Sequence, residues 1–275
     1  MTLLEVERLN KRFGGLQAVR DVSFSLQPGS ITGILGPNGA GKTTLFNLLT
    51  GFIAFDSGAV RLAGRSLAGL GPWRIVNLGL ARTFQLARPF TGMSVLENVE
   101  VPCLAPRVRA WGRPRSRAQA ILGEVGLGDK AGSPAERLSY GDLRRLEIAR
   151  ALATRPQLLL FDEPFAGLGA GEIEPLATLI RRLHRSEGLA ILIIEHKLRE
   201  FMQLVQTVIA MDFGEIIATG DPAEIVRHPR VVEAYLGKAE LALPGAEEGG
   251  QAAGGDDCSQ APGGEARGGG PGAAA

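Results

Sequence analysis

Hydrophobic positions along the chain fall into two alternating patterns, short continuous apolar runs and longer stretches with helical spacing. Ile31–Leu35, Leu158–Phe161 and Leu189–Ile194 are too short for buried helices and rich in Ile and Leu, so they predict strands covered on both faces. Val22-Ser-Phe-Ser-Leu26 alternates with period two and stops at Pro28-Gly29, which predicts a strand with one buried face and then a turn. Helical spacing predicts helices over Leu45–Leu49 and Ile173–Arg185. Arg115–Arg155 holds two more helical patterns and no convincing strand, which marks a helical insertion. Val208–Met211 and Glu215–Ala218, split by Asp212-Phe-Gly214, predict a late hairpin. Buried strands alternating with helices are the grammar of an open parallel sheet, so the expected fold class is α/β.

The longest apolar runs stop far short of the roughly 18 residues a membrane-spanning helix needs, and none is expected to cross a bilayer. Met1–Arg12 is interrupted by Glu5, Glu7 and Arg8, so no signal peptide is expected and the protein should stay where it is made. Lys and Arg number 30 against 29 Asp and Glu, for a net charge of +1. That balance leaves no field to gather a polyanion, which argues against nucleic acid as the principal partner. The two cysteines, Cys103 and Cys258, exclude a disulfide framework and a Cys-rich zinc site. From Gly245 to Ala275 there are 11 glycines and 8 alanines in 31 residues, with no Ile, Leu, Val or aromatic side chain. Nothing there can offset the entropy of ordering, so this tail is expected to be disordered.

Candidate chemistry enters at Gly36-Pro37-Asn38-Gly39-Ala40-Gly41-Lys42-Thr43, a G-x-x-x-x-G-K-[ST] phosphate loop followed by Thr44 and set between a predicted strand and a predicted helix. Its glycines let backbone N–H groups converge on phosphate oxygens, and the helix N-terminus adds its positive end. Lys42 would reach the β- and γ-phosphates and Thr43 would offer its hydroxyl to Mg²⁺. Leu158–Phe161 ends on Asp162-Glu163, two carboxylates at the C-terminal end of a buried strand, where open α/β sheets bind ligands. Asp162 suits Mg²⁺ and Glu163 suits activation of an attacking water. His196 follows another such strand end. Ser139-Tyr-Gly141-Asp142 opens a helical pattern, so Ser139 is at least an N-cap, and that helix start is a second candidate anion site. Arg107, Arg109, Arg113, Arg115 and Arg117 form a basic cluster that reads as a solvated face, with anionic headgroups or a cytoplasmic loop of a membrane protein as the sharper alternative.

The order of these motifs resembles the nucleotide-binding subunits of ATP-binding-cassette transporters across about Leu3–Leu236. The landmarks are the loop Gly36–Thr43, Gln85 after Ala81-Arg-Thr-Phe, Leu138-Ser-Tyr-Gly-Asp142, Leu160-Phe-Asp-Glu-Pro164 and His196. The resemblance implies a P-loop NTPase core with a parallel sheet, an N-terminal antiparallel β portion and a helical subdomain over about 87–155. The cassette would span 1–237, followed by a Gly/Ala-rich tail over 238–275. It also implies ATP and Mg²⁺ as ligands, hydrolysis coupled to transport, and a head-to-tail dimer with a second cassette, identical or related. Permease subunits would hold the protein at the cytoplasmic face of the inner membrane, with a solute-binding protein as an indirect partner.

Carried over by position, Phe13 matches the aromatic that stacks on adenine, Gln85 the sensor of Mg²⁺ and attacking water, and His196 the γ-phosphate switch. Ser139 and Gly141 match groups that contact the partner's γ-phosphate. Arg12-Phe-Gly-Gly-Leu16, Leu45-Phe-Asn-Leu-Leu-Thr-Gly51, Phe213–Gly220 and Pro229–Gly237 look like the ATPase subunits of branched-chain amino acid importers, with urea or amide importers as the alternative. Asp142 stands where Gln is commonest, and Gly169 where many cassettes carry Asp. A soluble cassette of translation or repair, usually doubled or carrying a coiled-coil insertion, fits less well, as does a kinase or GTPase without the Ser139 segment. The loop from Gln85 to Glu97, with Leu86, Pro89, Phe90 and Met93, is expected to wall a groove where a short permease helix docks.

Overall fold

The first strands are longer than the alternation in the sequence indicates. In a computed structural model of the protein, which describes residues 2–85 and 88–236, β1 (Leu4–Phe13) and β2 (Leu16–Leu26) form an antiparallel hairpin. Leu86, Cys258 and the expected tail lie outside the described residues. The β1 period breaks at Arg8, whose φ is 44°, and the register shifts so that Leu4, Val6 and Leu9 are all buried. β3 (Ile31–Leu35) is buried throughout and runs into the glycine loop, from which α1 (Lys42–Leu49) emerges. That helix starts inside the motif rather than at Leu45, because Gly41 at φ 97° forms its N-terminal boundary.

The short strands β4 (Ser57–Leu62) and β5 (Arg65–Ser66) are followed by α2 (Pro72–Leu78), which carries Pro at its first position, and β6 (Leu80–Arg82). The next stretch is helical, with α3 (Val95–Glu100), α4 (Pro114–Val125) and α5 (Tyr140–Leu152). A capping box between Ser94 and Glu97 starts α3, and the Ser139 hydroxyl caps α5 by accepting from the Asp142 amide. β7 (Leu158–Asp162), α6 (Ala170–Glu187), β8 (Ala190–Ile194), α7 (Leu198–Leu204) and β9 (Thr207–Asp212) continue the strand and helix alternation. β10 (Glu215–Gly220), α8 (Pro222–Arg227) and α9 (Pro229–Leu236) complete the described chain.

Two sheets result among the described residues. One is antiparallel, in the order β2-β1-β4-β5, and the other runs β10-β9-β3-β8-β7-β6, parallel except for its β10 edge. Ile34, Leu158, Leu160, Leu192 and Ile194 face α1 and the antiparallel sheet, where Leu45, Phe46 and Leu49 meet them. Ile31, Leu159, Phe161, Ile191 and Ile193 share a second core with α3 to α7, from which Val99, Leu122, Leu146, Ile180 and Phe201 contribute. Strands buried on both faces explain the uninterrupted apolar runs.

Candidate active site

The glycine loop is shaped by close backbone approach. A Cβ at Gly36 would lie 2.3 Å from the Met211 carbonyl oxygen at the end of β9, and one at Gly41 would lie 2.4 Å from the Ala18 carbonyl oxygen of β2. The Gly214 amide, in the β9–β10 turn, donates to the Ala40 carbonyl at 3.1 Å and braces the loop from the other side. Asn38, Gly39 and Thr43 are exposed, Thr44 is half-buried, and Ala40 and Lys42 are buried. Lys42 folds back along the loop, its Nζ donating to the carbonyls of Gly36 at 2.6 Å and Pro37 at 2.9 Å. Burial pushes its pKa down, against the opposing pull of Glu163 and Asp162.

Gln85, Glu163 and His196 lie just beyond the ends of the adjacent strands β6, β7 and β8, and they meet. Glu163 Oε2 accepts from Gln85 Nε2 at 2.8 Å, and Glu163 Oε1 bonds His196 Nε2 at 2.9 Å. Glu163 itself sits at φ 50°, in the left-handed region, with its amide on the Ile194 carbonyl of β8 at 2.9 Å. A non-glycine residue holds that conformation only where its surroundings over-determine it, and here the neighbouring strand and two side chains do so.

Asp162 is buried and paired with Arg82 of β6 at 2.5 Å, and Arg82 in turn donates to Asn47 of α1 at 2.7 Å. The guanidinium lies between the Phe46 and Phe84 rings, 5.5 and 5.1 Å from their centroids. Sequence reasoning missed Arg82, which lies in a three-residue strand and meets Asp162 only through strand pairing. It also missed Glu195, 2% exposed beside His196, which accepts from the Phe165 amide at 3.4 Å. Burial pushes the Glu195 carboxyl up to about 7.

Ser139 and Gly141 line a separate cavity of about 250 Å³ with Glu172 and Leu168, apart from the P-loop residues of the same chain. Asp142 has an internal role, accepting from Ser139 Oγ at 2.9 Å and pairing with Lys130. A Cβ at Gly141 would stand 2.6 Å from Glu172 Oε1, so the Glu172 carboxylate would have to shift. Gly169 is the N-cap of α6, its amide held by Glu172 Oε2 at 3.1 Å. Phe13, at the end of β1, is 45% exposed with the Lys11 ammonium 5.4 Å from its ring centre.

Beside the site runs a groove of about 720 Å³, lined by Thr43, Arg82, Phe84, Gln85, Phe90 and Arg150 among others. The Arg150 guanidinium covers the half-exposed Phe90 ring at 4.4 Å. The basic cluster divides. Arg107 donates to the Arg155 carbonyl at 3.2 Å and Arg117 to the carbonyls of Cys103 and Val108, whereas Arg109, Arg113 and Arg115 remain on the surface.

The sequence pattern of the ABC transporter family matches residues 19–166, and that of branched-chain amino acid ATP-binding cassette transporters matches residues 215–240. The chain is 41% identical over 251 residues to the high-affinity branched-chain amino acid transport ATP-binding protein LivG of Salmonella typhimurium, covering 86% of this chain and 98% of that one. It is 39% identical, with the same coverage, to BraF of Pseudomonas aeruginosa, which bears the same description. Among solved structures, an ATP-binding cassette of an ABC transporter in its ADP conformation superposes with a TM-score of 0.78 at 33% identity, covering 86% of this chain and 100% of that one. A nucleotide-free cassette superposes with a TM-score of 0.78 at 32% identity, covering 86% and 99%. The loop geometry, the doubly covered sheet and these likenesses agree, and the chain belongs to the ABC transporter family as one of its ATP-binding, ATP-hydrolysing cassettes.

Proposed function

We propose that the chain is the ATPase subunit of an importer for branched-chain amino acids, working from the cytoplasmic face of the inner membrane against permease subunits that a solute-binding protein supplies. The cassette would span residues 1–237, with a helical subdomain over about 87–155. The convergence of Gln85, Glu163 and His196 carries the hydrolytic reading. The solute class is supported by the match over residues 215–240 and by the transport for which LivG and BraF are named.

The amides of Gly36–Thr44 cradle the phosphates, and Lys42 exchanges its two carbonyl partners for phosphate oxygens. The exposed ring of Phe13 offers a π face to adenine. Glu163 takes a proton from water as the water oxygen bonds to the γ-phosphorus and the bond from that phosphorus to the β,γ-bridging oxygen breaks, leaving ADP and phosphate. His196 fixes Glu163 from one side and Gln85 from the other, so the base is held before substrate arrives.

Thr43, Asp162 and Gln85 supply hard oxygen donors around Thr43 and the β7 end. All three line one groove, and a hydroxyl, a carboxylate and an amide oxygen fit Mg²⁺, which is held by few protein oxygens together with phosphates and water. When bound, the ion neutralises charge on the β- and γ-phosphates.

Because Ser139 and Gly141 open on a cavity of their own, a site that uses them together with the P-loop needs a second cassette facing this one head to tail. The groove beside Gln85 fits the apolar face of a short permease helix, with the rings of Phe84 and Phe90 as its contact surface.

Glu163→Gln tests the reading. ATPase activity should fall about 10²- to 10⁴-fold while ATP still binds and traps a dimer in size-exclusion chromatography. Ser139→Arg should bind ATP without dimerising. Turnover of Glu163→Gln within a few-fold of the parent would overturn the assignment of the base, and an ATP-dependent Ser139→Arg dimer would overturn the composite site.

A further inference from the structure

Arg144 lies in α5, five residues after the Ser139 cap, and is 2% exposed. Its Nη1 donates to the Phe84 carbonyl at 2.9 Å and pairs with Glu147 Oε2 at 3.4 Å. Its Nη2, with two N–H groups, donates to the Gln85 carbonyl and to Tyr140 Oη at 2.8 Å and stands 3.4 Å from the Ala166 carbonyl, while the buried Nε has no partner. Glu147 accepts the Phe84 amide, so the backbone just before Gln85 is held on both its donor and its acceptor side. One turn on, Arg150 donates to the Arg88 carbonyl at 2.6 Å. Residues 144, 147 and 150 recur with a spacing of three on one face of the helix, and together they grip the chain on both sides of Gln85.

One buried cation thus ties three segments: the loop of Gln85, the first turn of the helix that Ser139 caps, and the residues just after Glu163. A planar guanidinium satisfies that many acceptors in only one relative arrangement of the three, and a displaced α5 would either carry the Gln85 loop with it or leave a buried charge unpaired. Burying such a pair is weak support for stability.

We propose that Arg144, with Glu147, is a positioning pair that couples the two ATP sites of the dimer, carrying the docking of Ser139–Gly141 on the partner cassette's nucleotide to Gln85 and Glu163 of its own site. The inference rests on the composite-site reading above. Through this link, closure at one nucleotide sets the geometry for hydrolysis at the other, and turnover rises with ATP along a sigmoid curve.

The test uses the full chain, with ATPase rate measured against ATP concentration and ATP affinity measured separately with a fluorescent analogue. Arg144→Lys keeps the charge but loses the fork. It should retain the parental affinity of the monomer, lose about tenfold or more in maximal turnover, and replace the sigmoid curve by a hyperbola. In a Glu163→Gln background it should still dimerise with ATP, which separates failure of the coupling from failure of the composite site. A parent with hyperbolic kinetics would overturn the proposal, as would a folded Arg144→Lys protein with parental turnover and sigmoidicity. If Arg144→Lys does not fold, Tyr140→Phe decides: it removes only the hydroxyl link from a 38% exposed ring. Reduced sigmoidicity in that variant supports the coupling and an unchanged curve overturns it.

Discussion

Gly36→Ala should damage nucleotide binding through the backbone rather than through any lost contact. The added Cβ would stand 2.3 Å from the Met211 carbonyl oxygen and 3.0 Å from the Ala40 Cβ. Ordinary carbon–oxygen contact lies near 3.3 Å, so the gap must widen by about 1 Å. Neither neighbour gives way freely: β9 pairs with β3 through Ala210 and Leu35, and the Ala40 carbonyl is tied to the Gly214 amide. Overpacking of this kind costs about 1–3 kcal/mol. For a domain of this size, melting should fall by about 2–4 °C per kcal/mol, or about 2–12 °C in all. A shift of about 1 Å in groups that position phosphates is worth up to about 10²-fold in function. Gly39→Ala separates strain from collision, because its φ is 84° but nothing stands within 4 Å, and Gly15→Ala, with neither problem, should be silent. Thermal melting and titration with a fluorescent ATP analogue, run on all three proteins, measure both effects. The reasoning fails if Gly36→Ala melts within a degree of the parent and binds ATP with parental affinity.

Lys42→Ala should lose nucleotide affinity by about tenfold or more without blocking folding, since the lysine is bonded only to loop carbonyls; equilibrium binding checks this. Phe90→Asp should fold, because the new carboxylate meets Arg150, and should keep the basal ATPase of the isolated subunit while weakening co-purification with the permease; recovery at parental yield with normal uptake would move the docking surface elsewhere. Burial raises the Glu195 carboxyl in the folded state to about 7 from its ordinary 4.5, so the folded state binds the extra proton between those values and stability falls as pH rises through that window. Glu195→Gln should therefore gain on the parent by up to about 3 kcal/mol above pH 8 and by little below pH 4.5, and melting curves with a pH-independent difference would rule this out.

What the sequence made legible follows from how local each signal is. The loop Gly36–Thr43, the acids after Leu158–Phe161 and His196 sit inside or directly beside continuous apolar runs, so motif and strand reinforce one another. β1 is illegible by alternation because the bulge at Arg8 moves the apolar positions from Val6 to Leu9. Arg82 is read only once β6 lies against β7 and brings it to Asp162, 80 positions along the chain. α5 misleads in a different way. Its apolar pattern puts Leu143 in the buried stripe, yet Leu143 is half-buried whereas Arg144 and Glu147 are buried, because the loop on that face presents backbone donors and acceptors instead of carbon. Likewise, nothing local tells that Ser139 and Thr43 face different cavities of one chain.

The strand order has a metric consequence. The strand leading into the glycine loop, β3, and the strand delivering Glu163, β7, are not neighbours, because β8 runs between them. Two inter-strand spacings of about 4.8 Å set the loop and the base roughly 10 Å apart along the sheet. That is a slot in which a phosphate and the water that attacks it can stand side by side, and its width is fixed by backbone hydrogen bonds rather than by any side chain. The intervening strand leads to His196, which bonds Glu163 at 2.9 Å, so changes in side chains around it can tune what happens there but cannot alter the span.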